Sequence, residues 1–291
     1  MSGPARLHLV DGTFELYRAH FAPRPDRKFK ATVGFAGAMI SLLADPAEKV
    51  THIAVAFDNP IRSFRNDLFD AYKSDEGVPP DLRAQFDSVE EAAHVLGITV
   101  WSMKDFETDD ALATAVSRFG PEVGQVRICS PDKDFGQCLS GEKVVLVDRI
   151  RNRVIDEAAL RLARGVGPAA IPDLLALTGD DADGIPGLAG FGAKTAAALL
   201  TKFGHVEAIP DDPSEWPKGV RGADRLAATL REHREPLALY KRLATLRYDV
   251  PLKELLDDLR YRGPNKKLLE DFSKRYDATS LPERAAKLIV T

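Results

Sequence analysis

The feature that most constrains the fold is a series of short apolar runs, each separated from the next by a segment of helical periodicity. Runs of four or five residues are too short for helices and are typical of buried strands. They are Leu7–Val10, Ile53–Phe57, Ile98–Trp101, Val126–Cys129 and Val144–Val147. Because strands that alternate with helices form parallel sheets, the first half of the chain is predicted to be an α/β domain with a mostly parallel sheet.

Helix signals fill the intervals between these runs. The sequence Pro79-Pro80-Asp81 is a start signal, and apolar residues from Leu82 to Leu96 then share one face; Thr108 precedes a similar pattern. From about Asp156 the apolar runs stop and helical patterns joined by short turns follow, at 160–164, 171–177, 193–203, 223–231 and 236–246. A second, helical domain is therefore predicted to begin there.

Composition sets wide limits on function. A chain of 291 residues with 44% hydrophobic and 29% charged residues is ordinary for a globular protein of one large domain or a domain with a smaller companion. No apolar stretch approaches a membrane span and no secretory signal is visible, so a cytoplasmic location is expected. The two cysteines, Cys129 and Cys138, are too few for a disulfide framework.

Nine acidic residues lie mostly where predicted strands end. They are Asp11, Asp58, Glu107, Asp109, Asp110, Asp132, Asp134, Asp180 and Asp183. The carboxyl ends of parallel strands meet in one crevice, and so many negative charges share a small volume only when divalent cations or protons neutralise them. The pattern thus predicts a site for hard metal ions and favours metal-assisted cleavage of a phosphodiester.

Simpler interpretations of each acid remain open. Asp11 and Asp58 are each suited to a helix N-cap or a turn, and the segment Glu107–Asp110 suits the charged first turn of a helix. Lys133 could form a surface ion pair with either neighbouring aspartate. Only the repetition of acids after successive strands favours the metal site.

The net charge permits a nucleic-acid partner without requiring one. Removing the nine clustered negative charges from a formal charge of −4 leaves +5 for the rest of the chain. If metal ions neutralise the cluster, the remaining surface is mildly basic.

The segment Gly179–Ala196 has the most specific pattern. Gly187, Gly190 and Gly192 come directly before an alanine-rich helix bearing Lys194, so backbone N–H groups and the helix N-terminus can approach a phosphate. This pattern indicates a helix-hairpin-helix. A dinucleotide fingerprint requires a preceding strand, whereas a helix precedes here; a tight turn without a ligand remains an alternative.

Five ordered motifs together resemble the 5′-3′ exonuclease and flap endonuclease family, which includes the N-terminal nuclease domain of bacterial DNA polymerase I. They are Val10–Gly12 with Tyr17–Ala19, Phe64-Arg65 with Tyr72-Lys73, Glu107–Asp110, Asp132–Asp134 and Gly179–Ala196. The resemblance implies a PIN-like catalytic domain over residues 1–165 with an arch near 60–77. It further implies a helix-three-turn-helix DNA-binding domain over 166–265 and a C-terminal tail over 266–291.

The resemblance also implies a two-metal-ion mechanism with Mg²⁺ or Mn²⁺. All nine acids match family ligands, direct or through water, with Glu107, Asp109, Asp132 and Asp134 near the first ion and Asp180 and Asp183 serving the second. Arg18, Arg65 and Lys73 match cations that face the scissile phosphate, and Tyr72 matches an aromatic residue that stacks on a terminal base. The glycine turn with Lys194 is expected to contact duplex phosphates, with K⁺ as a further ion there.

The implied partner is DNA with 5′ flaps, nicks or gaps, or RNA primers, bound by a monomer. Two departures from the family pattern stand out: Asp75 and Glu76 replace expected positive charge in the arch, and Ala182 and Gly184 replace a serine and an asparagine. The alternatives are a PIN-type ribonuclease, which generally lacks the glycine-rich module, and a non-catalytic branched-DNA-binding protein.

Overall fold

The computed structural model describes residues 4–23 and 27–288. The chain divides into two compact units, and each is described by itself. The first unit comprises the described residues within Met1–Ser63, Asp75–Ser130 and Tyr248–Thr291. The second unit comprises Phe64–Ser74 and Pro131–Arg247.

Secondary structure in the described residues follows the predicted alternation of strands and helices. The strands are β1 (Arg6–Asp11), β2 (His52–Asp58), β3 (Thr99–Met103), β4 (Gln125–Cys129), β5 (Val144–Asp148) and β6 (Arg153–Ile155). The helices are α1 (Gly12–Phe21), α2 (Lys30–Ala44), α3 (Pro80–Arg83), α4 (Phe86–Val95), α5 (Thr108–Phe119), α6 (Glu157–Arg164), α7 (Ile171–Thr178), α8 (Ala193–Phe203), α9 (Ala223–Glu232), α10 (Arg234–Ala244), α11 (Lys266–Arg275) and α12 (Leu281–Ala285). None of these helices has the length and apolar content needed to cross a bilayer.

A parallel sheet forms the centre of the first unit. Its four strands run in the order β3-β2-β1-β4, and every neighbouring pair is parallel. Val10 on β1 lies between Val55 on β2 and Cys129 on β4, and all three are buried. Burial on both faces explains the apolar runs of β1, β2 and β4, whereas the edge strand β3 is only partly buried. All five predicted strand runs are confirmed, with β5 in the second unit.

Helices pack against each other around this sheet, and one predicted helix is divided. The pattern from Pro80 to Leu96 forms two helices, α3 and α4, which are separated at Gln85. The buried Gln85 side chain accepts hydrogen bonds from the backbone N–H of Thr32 at 3.0 Å and from its hydroxyl at 3.2 Å. The Gln85 side chain, at the break between α3 and α4, therefore connects α2 to the start of α4.

The C-terminal segment belongs to the packing of the first unit. Arg275 on α11 bonds Glu91 on α4 at 2.8 Å, and the Arg284 guanidinium donates to the Gly37 carbonyl on α2 at 2.9 Å. Residues 266–285 thus contain two helices anchored to α2 and α4, where the sequence predicted only a tail.

The second unit combines an antiparallel strand pair with five helices. Strand β6 pairs with β5 in the register Asp148↔Arg153. The sequence did not predict β6, because it has three residues, of which Arg153 and Val154 are exposed and give no apolar run. The later helices α6 to α10 agree with their predicted positions to within three residues.

The predicted arch contains little helix. Residues 60–77 include one short 3-10 helix, Phe64–Asp67, and turns. Within the second unit, the Asn66 amide donates to the Lys73 carbonyl at 2.9 Å, and Arg65 donates to the carbonyls of Leu243 and Thr245 at 2.8 and 3.0 Å. Side-chain bonds to backbone, rather than helical ladders, organise residues 64–73.

A buried ionic group lies at the amino-terminal end of the parallel sheet. His8 on β1 and Arg127 on β4 are direct neighbours in the sheet, and both contact Glu48 at 2.8 and 2.7 Å. Burial raises the pKa of Glu48, but the bonds from His8 and Arg127 outweigh it and hold the pKa at about 2. Burial also lowers the pKa of His8, so the imidazole is neutral at pH 7.

We predict that Glu48→Gln lowers the free energy of unfolding at pH 7 by roughly 2 kcal/mol, because the buried Arg127 loses its charged, partly buried partner. The folded pKa of Glu48, about 2, lies below its ordinary 4.5. Its contribution is therefore complete above about pH 4.5 and disappears as the pH falls towards 2. Thermal unfolding of wild type and variant across this range should converge at low pH. The exposed Glu122→Gln is the control, and an equal loss there would contradict the assignment.

Candidate metal centre

The first two acids of the first unit terminate neighbouring strands. Asp11 ends β1 and caps α1, since one carboxylate oxygen accepts from the Phe14 N–H at 2.8 Å and the other from the Ser130 hydroxyl at 2.9 Å. Asp58 ends β2 and accepts from the Thr108 N–H at 2.7 Å. Both carboxylates are thus placed at the same edge of the parallel sheet. The helix-cap interpretation of Asp11 is confirmed.

Three further acids open α5. Glu107 and Asp110 form a capping box, in which the side chain of each residue accepts a hydrogen bond from the backbone N–H of the other. The Ser63 hydroxyl donates to Glu107 at 2.9 Å. Asp109 and Asp110 are buried beside it. A carboxylate has about four acceptor positions, so a capping role leaves room for a metal ligand role.

The second unit brings three of the predicted ligands into one group. Asp134, Asp180 and Asp183 are all buried, and each offers an oxygen within 4.8 Å of the others. Asp132 lies two residues before Asp134 and accepts from its backbone N–H at 2.9 Å. These four residues are called the carboxylate group below.

Mutual repulsion shows in the electrostatics of the carboxylate group. Burial raises the pKa of Asp134 well above its ordinary value, and the charges of Asp132, Asp183 and Asp180 raise it further. Burial likewise raises the pKa of Asp132, against the lowering effect of the Asp134 N–H and of Lys73. Without cations the folded protein therefore favours protons on this group.

Two lysines offset part of the charge. The Lys73 ammonium lies 2.8 Å from Asp183, and the Lys133 ammonium lies 2.8 Å from Asp180. Lys133 therefore reaches an aspartate 47 positions away, whereas the sequence suggested a pair with Asp132 or Asp134. Burial lowers the pKa of Lys133, but its bond to Asp180 outweighs this effect and raises it.

Glycine at position 184 allows the Lys73 segment to approach the carboxylate group. Gly184 has φ +75°, and a Cβ atom there would lie 2.2 Å from the Ala71 carbonyl oxygen. The Lys73 N–H donates to the Asp183 carbonyl at 3.1 Å. The departure from the family asparagine thus permits a close backbone contact beside Asp183.

The donor set fits a hard divalent ion. Oδ1 of Asp134 is buried and has no hydrogen-bond partner among the described residues, which is costly unless a cation contacts it. All donors are carboxylate oxygens, and ions of the Mg²⁺ class prefer such ligands. Asp134, Asp180 and Asp183 are therefore the residues of the second unit best placed to hold a metal.

The predicted phosphate-facing cations differ in their surroundings. Arg18 pairs with the buried Glu15 one turn earlier on α1 and is about one-third exposed. Arg65 is 1% exposed, and its guanidinium bonds two backbone carbonyls of the second unit. Tyr72 is also buried, with its ring 5.7 Å from the Lys73 ammonium. Roles for Arg65 and Tyr72 in contacting substrate stay predictions.

The glycine-rich segment forms a turn between α7 and α8. Gly187 and Gly190 have positive φ angles, and a Cβ atom at Gly187 would lie 2.3 Å from the Gly179 nitrogen. Gly192 is the N-cap of α8, and an added Cβ there would meet no atom within 4 Å. Lys194 is exposed in the first turn of α8. The predicted helix-hairpin-helix, a glycine turn between two helices, is confirmed, and the N-terminus of α8 is accessible.

Hydroxyl side chains that orient the acids were missed from the sequence. The Ser130 hydroxyl, directly after β4, donates to Asp11, and the Thr13 hydroxyl oxygen accepts from the Asp58 backbone N–H at 2.8 Å. Ser63 bonds Glu107 across 44 residues. Only the position of Ser130, directly after a strand, gave any sequence signal.

An α/β unit with acids at the edge of its parallel sheet, together with a helical unit bearing a glycine turn and a carboxylate group, defines the class of metal-dependent nucleases. Two sequence models of the 5′-3′ exonuclease family match this chain. The N-terminal resolvase-like domain matches residues 6–164, and the C-terminal SAM fold matches residues 166–267. The chain belongs to the 5′-3′ exonuclease family.

Individual relatives agree with this assignment. A 5′-3′ exonuclease of Buchnera aphidicola is 33% identical over 83% of this chain and 82% of its own length. DNA polymerase I of Bacillus caldotenax is 35% identical over 87% of this chain, which spans only 29% of that polymerase. The structure of a bacteriophage T5 flap endonuclease in complex with DNA and metal ions has a TM-score of 0.67 at 21% identity, over 96% of this chain and 99% of that one. The predicted fold class is confirmed.

We predict that Asp134→Asn makes the metal-free protein more stable at pH 7, by on the order of 1 kcal/mol, because it removes one mutually repelling buried charge. Mn²⁺ should raise the melting temperature of the wild type and have little effect on the variant. Thermal unfolding in EDTA and in MnCl₂ measures both effects.

The exposed Asp181→Asn, in the same loop as Asp180 and Asp183, is the matched control and should change neither melting temperature. A lower melting temperature of Asp134→Asn in EDTA would show that the Asp134 carboxylate stabilises the metal-free fold.

Proposed function

We propose that this chain is a structure-specific 5′ nuclease that hydrolyses phosphodiester bonds of DNA. The observation that carries the proposal is the carboxylate group, in which Asp134 has a buried oxygen without a hydrogen-bond partner among the described residues. Membership of the 5′-3′ exonuclease family supports the reaction and its direction.

The metals of this site are proposed to be two Mg²⁺ or Mn²⁺ ions. The proposed ligands of the second unit are Asp132, Asp134, Asp180 and Asp183, of which the last three place oxygens within 4.8 Å of one another. The proposed ligands of the first unit are Asp11, Asp58, Glu107, Asp109 and Asp110. Such ions, when bound, polarise the phosphate and lower the pKa of an attacking water. The hydroxyls of Ser63 and Ser130 hold Glu107 and Asp11 in fixed orientations for this purpose.

Cationic side chains are proposed to orient the scissile phosphate. Lys73 lies at the rim of the carboxylate group, where its ammonium can contact a phosphate oxygen while it remains near Asp183. Arg18, about one-third exposed on α1, is proposed to do the same. Arg65 is proposed to contact the phosphate together with Lys73 and Arg18, and Tyr72 is proposed to stack on a terminal base. Arg65 and Tyr72 are buried, so each must leave its position to reach the substrate.

The glycine turn is proposed to bind the duplex. The accessible N-terminus of α8 at Gly192, the positive-φ glycines Gly187 and Gly190, and the exposed Lys194 suit the approach of a phosphate. Backbone carbonyls of this turn are proposed to hold K⁺. The T5 flap endonuclease complex, which contains DNA and metal ions, supports DNA as the partner of a protein with this fold.

The proposed substrates are DNA with 5′ flaps, nicked or gapped duplexes and RNA primers, processed by a monomer in replication and repair. The acidic arch residues Asp75 and Glu76 argue against binding of a single-stranded flap less strongly than the sequence suggested. Asp75 forms an ion pair with Arg83 within the first unit, so its charge is already partly balanced.

We predict that a 5′-labelled flap duplex is cleaved to short 5′ products only when Mg²⁺ or Mn²⁺ is present. Asp132→Ala should lower the cleavage rate by about 10³-fold or more while leaving duplex binding intact, because it removes a proposed metal ligand and no duplex contact. Asp181→Ala is the matched control and should cleave normally. Binding without cleavage by the wild type would instead support a non-catalytic branched-DNA-binding protein.

We predict that Lys194→Ala weakens duplex binding and reduces the slope of log Kd against log salt by about 1, because one phosphate contact is lost. Fluorescence anisotropy at several salt concentrations measures the slope. Lys202→Ala, at the opposite end of α8, removes the same charge and should leave the slope unchanged. Equal slopes for Lys194→Ala and wild type would exclude this phosphate contact.

A further inference from the structure

We propose that Lys133 is a resident counter-cation of the metal site, which competes with a divalent ion for the Asp180 carboxylate. Lys133 would then set the metal concentration at which the site fills. This inference rests on the proposed metal-dependent function and adds a positioning residue to it.

The geometry puts Lys133 in direct competition with a metal ion. Its ammonium lies 2.8 Å from Oδ1 of Asp180, which is 4% exposed. Asp180 is one of the three residues whose oxygens lie within 4.8 Å of each other. An ammonium at hydrogen-bond distance from a ligand oxygen occupies one of the directions from which a cation would approach, and it repels a second cation nearby.

The charges of the site suit an exchange of this kind. When all four carboxylates are ionised, as metal binding requires, the two ammonium groups leave the carboxylate group with a formal charge of −2, which one divalent ion balances. If Lys133 moves out to solvent when metal binds, the remaining charge of −3 accommodates more divalent charge. Oδ1 of Asp180 also accepts from the Ala182 N–H at 3.1 Å, so departure of the lysine frees one acceptor position on this oxygen and removes a repelling charge.

The two lysines differ in how firmly they are held. The main chain of Lys73 is fixed to the site, since its N–H donates to the Asp183 carbonyl and Gly184 lies directly against Ala71. Lys133 reaches the group through its ammonium at the end of a flexible side chain that is 34% exposed. Lys133 is thus the cation that can leave without disturbing the backbone.

Sequence position adds a further constraint. Lys133 lies between two members of the carboxylate group, Asp132 and Asp134, and its ammonium contacts a third member, Asp180. It thereby links the loop after β4 to the loop after α7. In the absence of metal this link holds Asp180 beside Asp134.

The test compares Lys133→Met with wild type in the full chain, with Mn²⁺ alone as the probe. Electron paramagnetic resonance or calorimetry should show Mn²⁺ binding roughly tenfold tighter in the variant, since a competing charge is gone. Thermal unfolding in EDTA should show the metal-free variant melting at a lower temperature than wild type, because Asp180 has lost its counter-charge. A merely structural lysine would lower the melting temperature without tightening Mn²⁺ binding.

Two further variants sharpen the comparison. Lys133→Arg keeps the charge and should restore both wild-type values, while Lys143→Met, an exposed lysine of the same unit, should change neither. Mn²⁺ binding by Lys133→Met that is equal to or weaker than that of wild type overturns the inference and leaves the nuclease proposal standing. A wild type that binds no Mn²⁺ at millimolar concentration overturns the metal-dependent function, and the inference falls with it.

Discussion

Electrostatic repulsion within the carboxylate group is the constraint on which the rest of the site depends. Asp134, Asp180 and Asp183 place oxygens within 4.8 Å of one another in a buried environment, and burial together with like charge raises the pKa of Asp134. Protons, ammonium groups and divalent ions can each relieve this repulsion. The fold keeps the three acids together through local contacts, including the Asp183 carbonyl bond to Lys73 and the glycine at position 184. Repulsion between these carboxylates lowers the local stability of the metal-free fold, and the same repulsion favours binding of a cation.

The acids of the first unit are stabilised in a different way. Asp11, Asp58 and Glu107 accept hydrogen bonds from backbone N–H groups at helix starts and from the hydroxyls of serine residues. These donors hold the carboxylates in fixed orientations. The capping interpretation and the metal-ligand interpretation of these residues are therefore compatible. A helix start after a strand supplies both the position at the sheet edge and the donors that make a buried charge acceptable there.

The sequence predicted those parts of the fold that depend on local patterns. Strands of a sheet interior carry mostly apolar residues, so five of the six strands in the described residues were visible as apolar runs, whereas the short β6, with exposed Arg153 and Val154, was not. Acids were found because they follow strand ends. Side-chain partners were not predictable: the bond from Lys133 to Asp180 and the burial of Arg65 against Leu243 and Thr245 join distant segments. The division of a helix at Gln85 likewise depends on a partner, Thr32, far earlier in the chain.

Metal binding and folding are linked through the same oxygens. An ion that binds the folded protein and not the unfolded chain stabilises the fold in proportion to the logarithm of its concentration above the Kd. In its absence, the raised pKa values of Asp132 and Asp134 mean that these two carboxyls hold more protons in the folded state than in the unfolded chain, so their contribution to stability falls as pH rises. Protons therefore compete with metal at low pH, and the Lys133 ammonium competes at neutral pH. The metal affinity of the site is consequently the difference between the free energy of binding the metal and that of binding the competing protons or ammonium. Residues that never contact the metal can therefore determine this affinity.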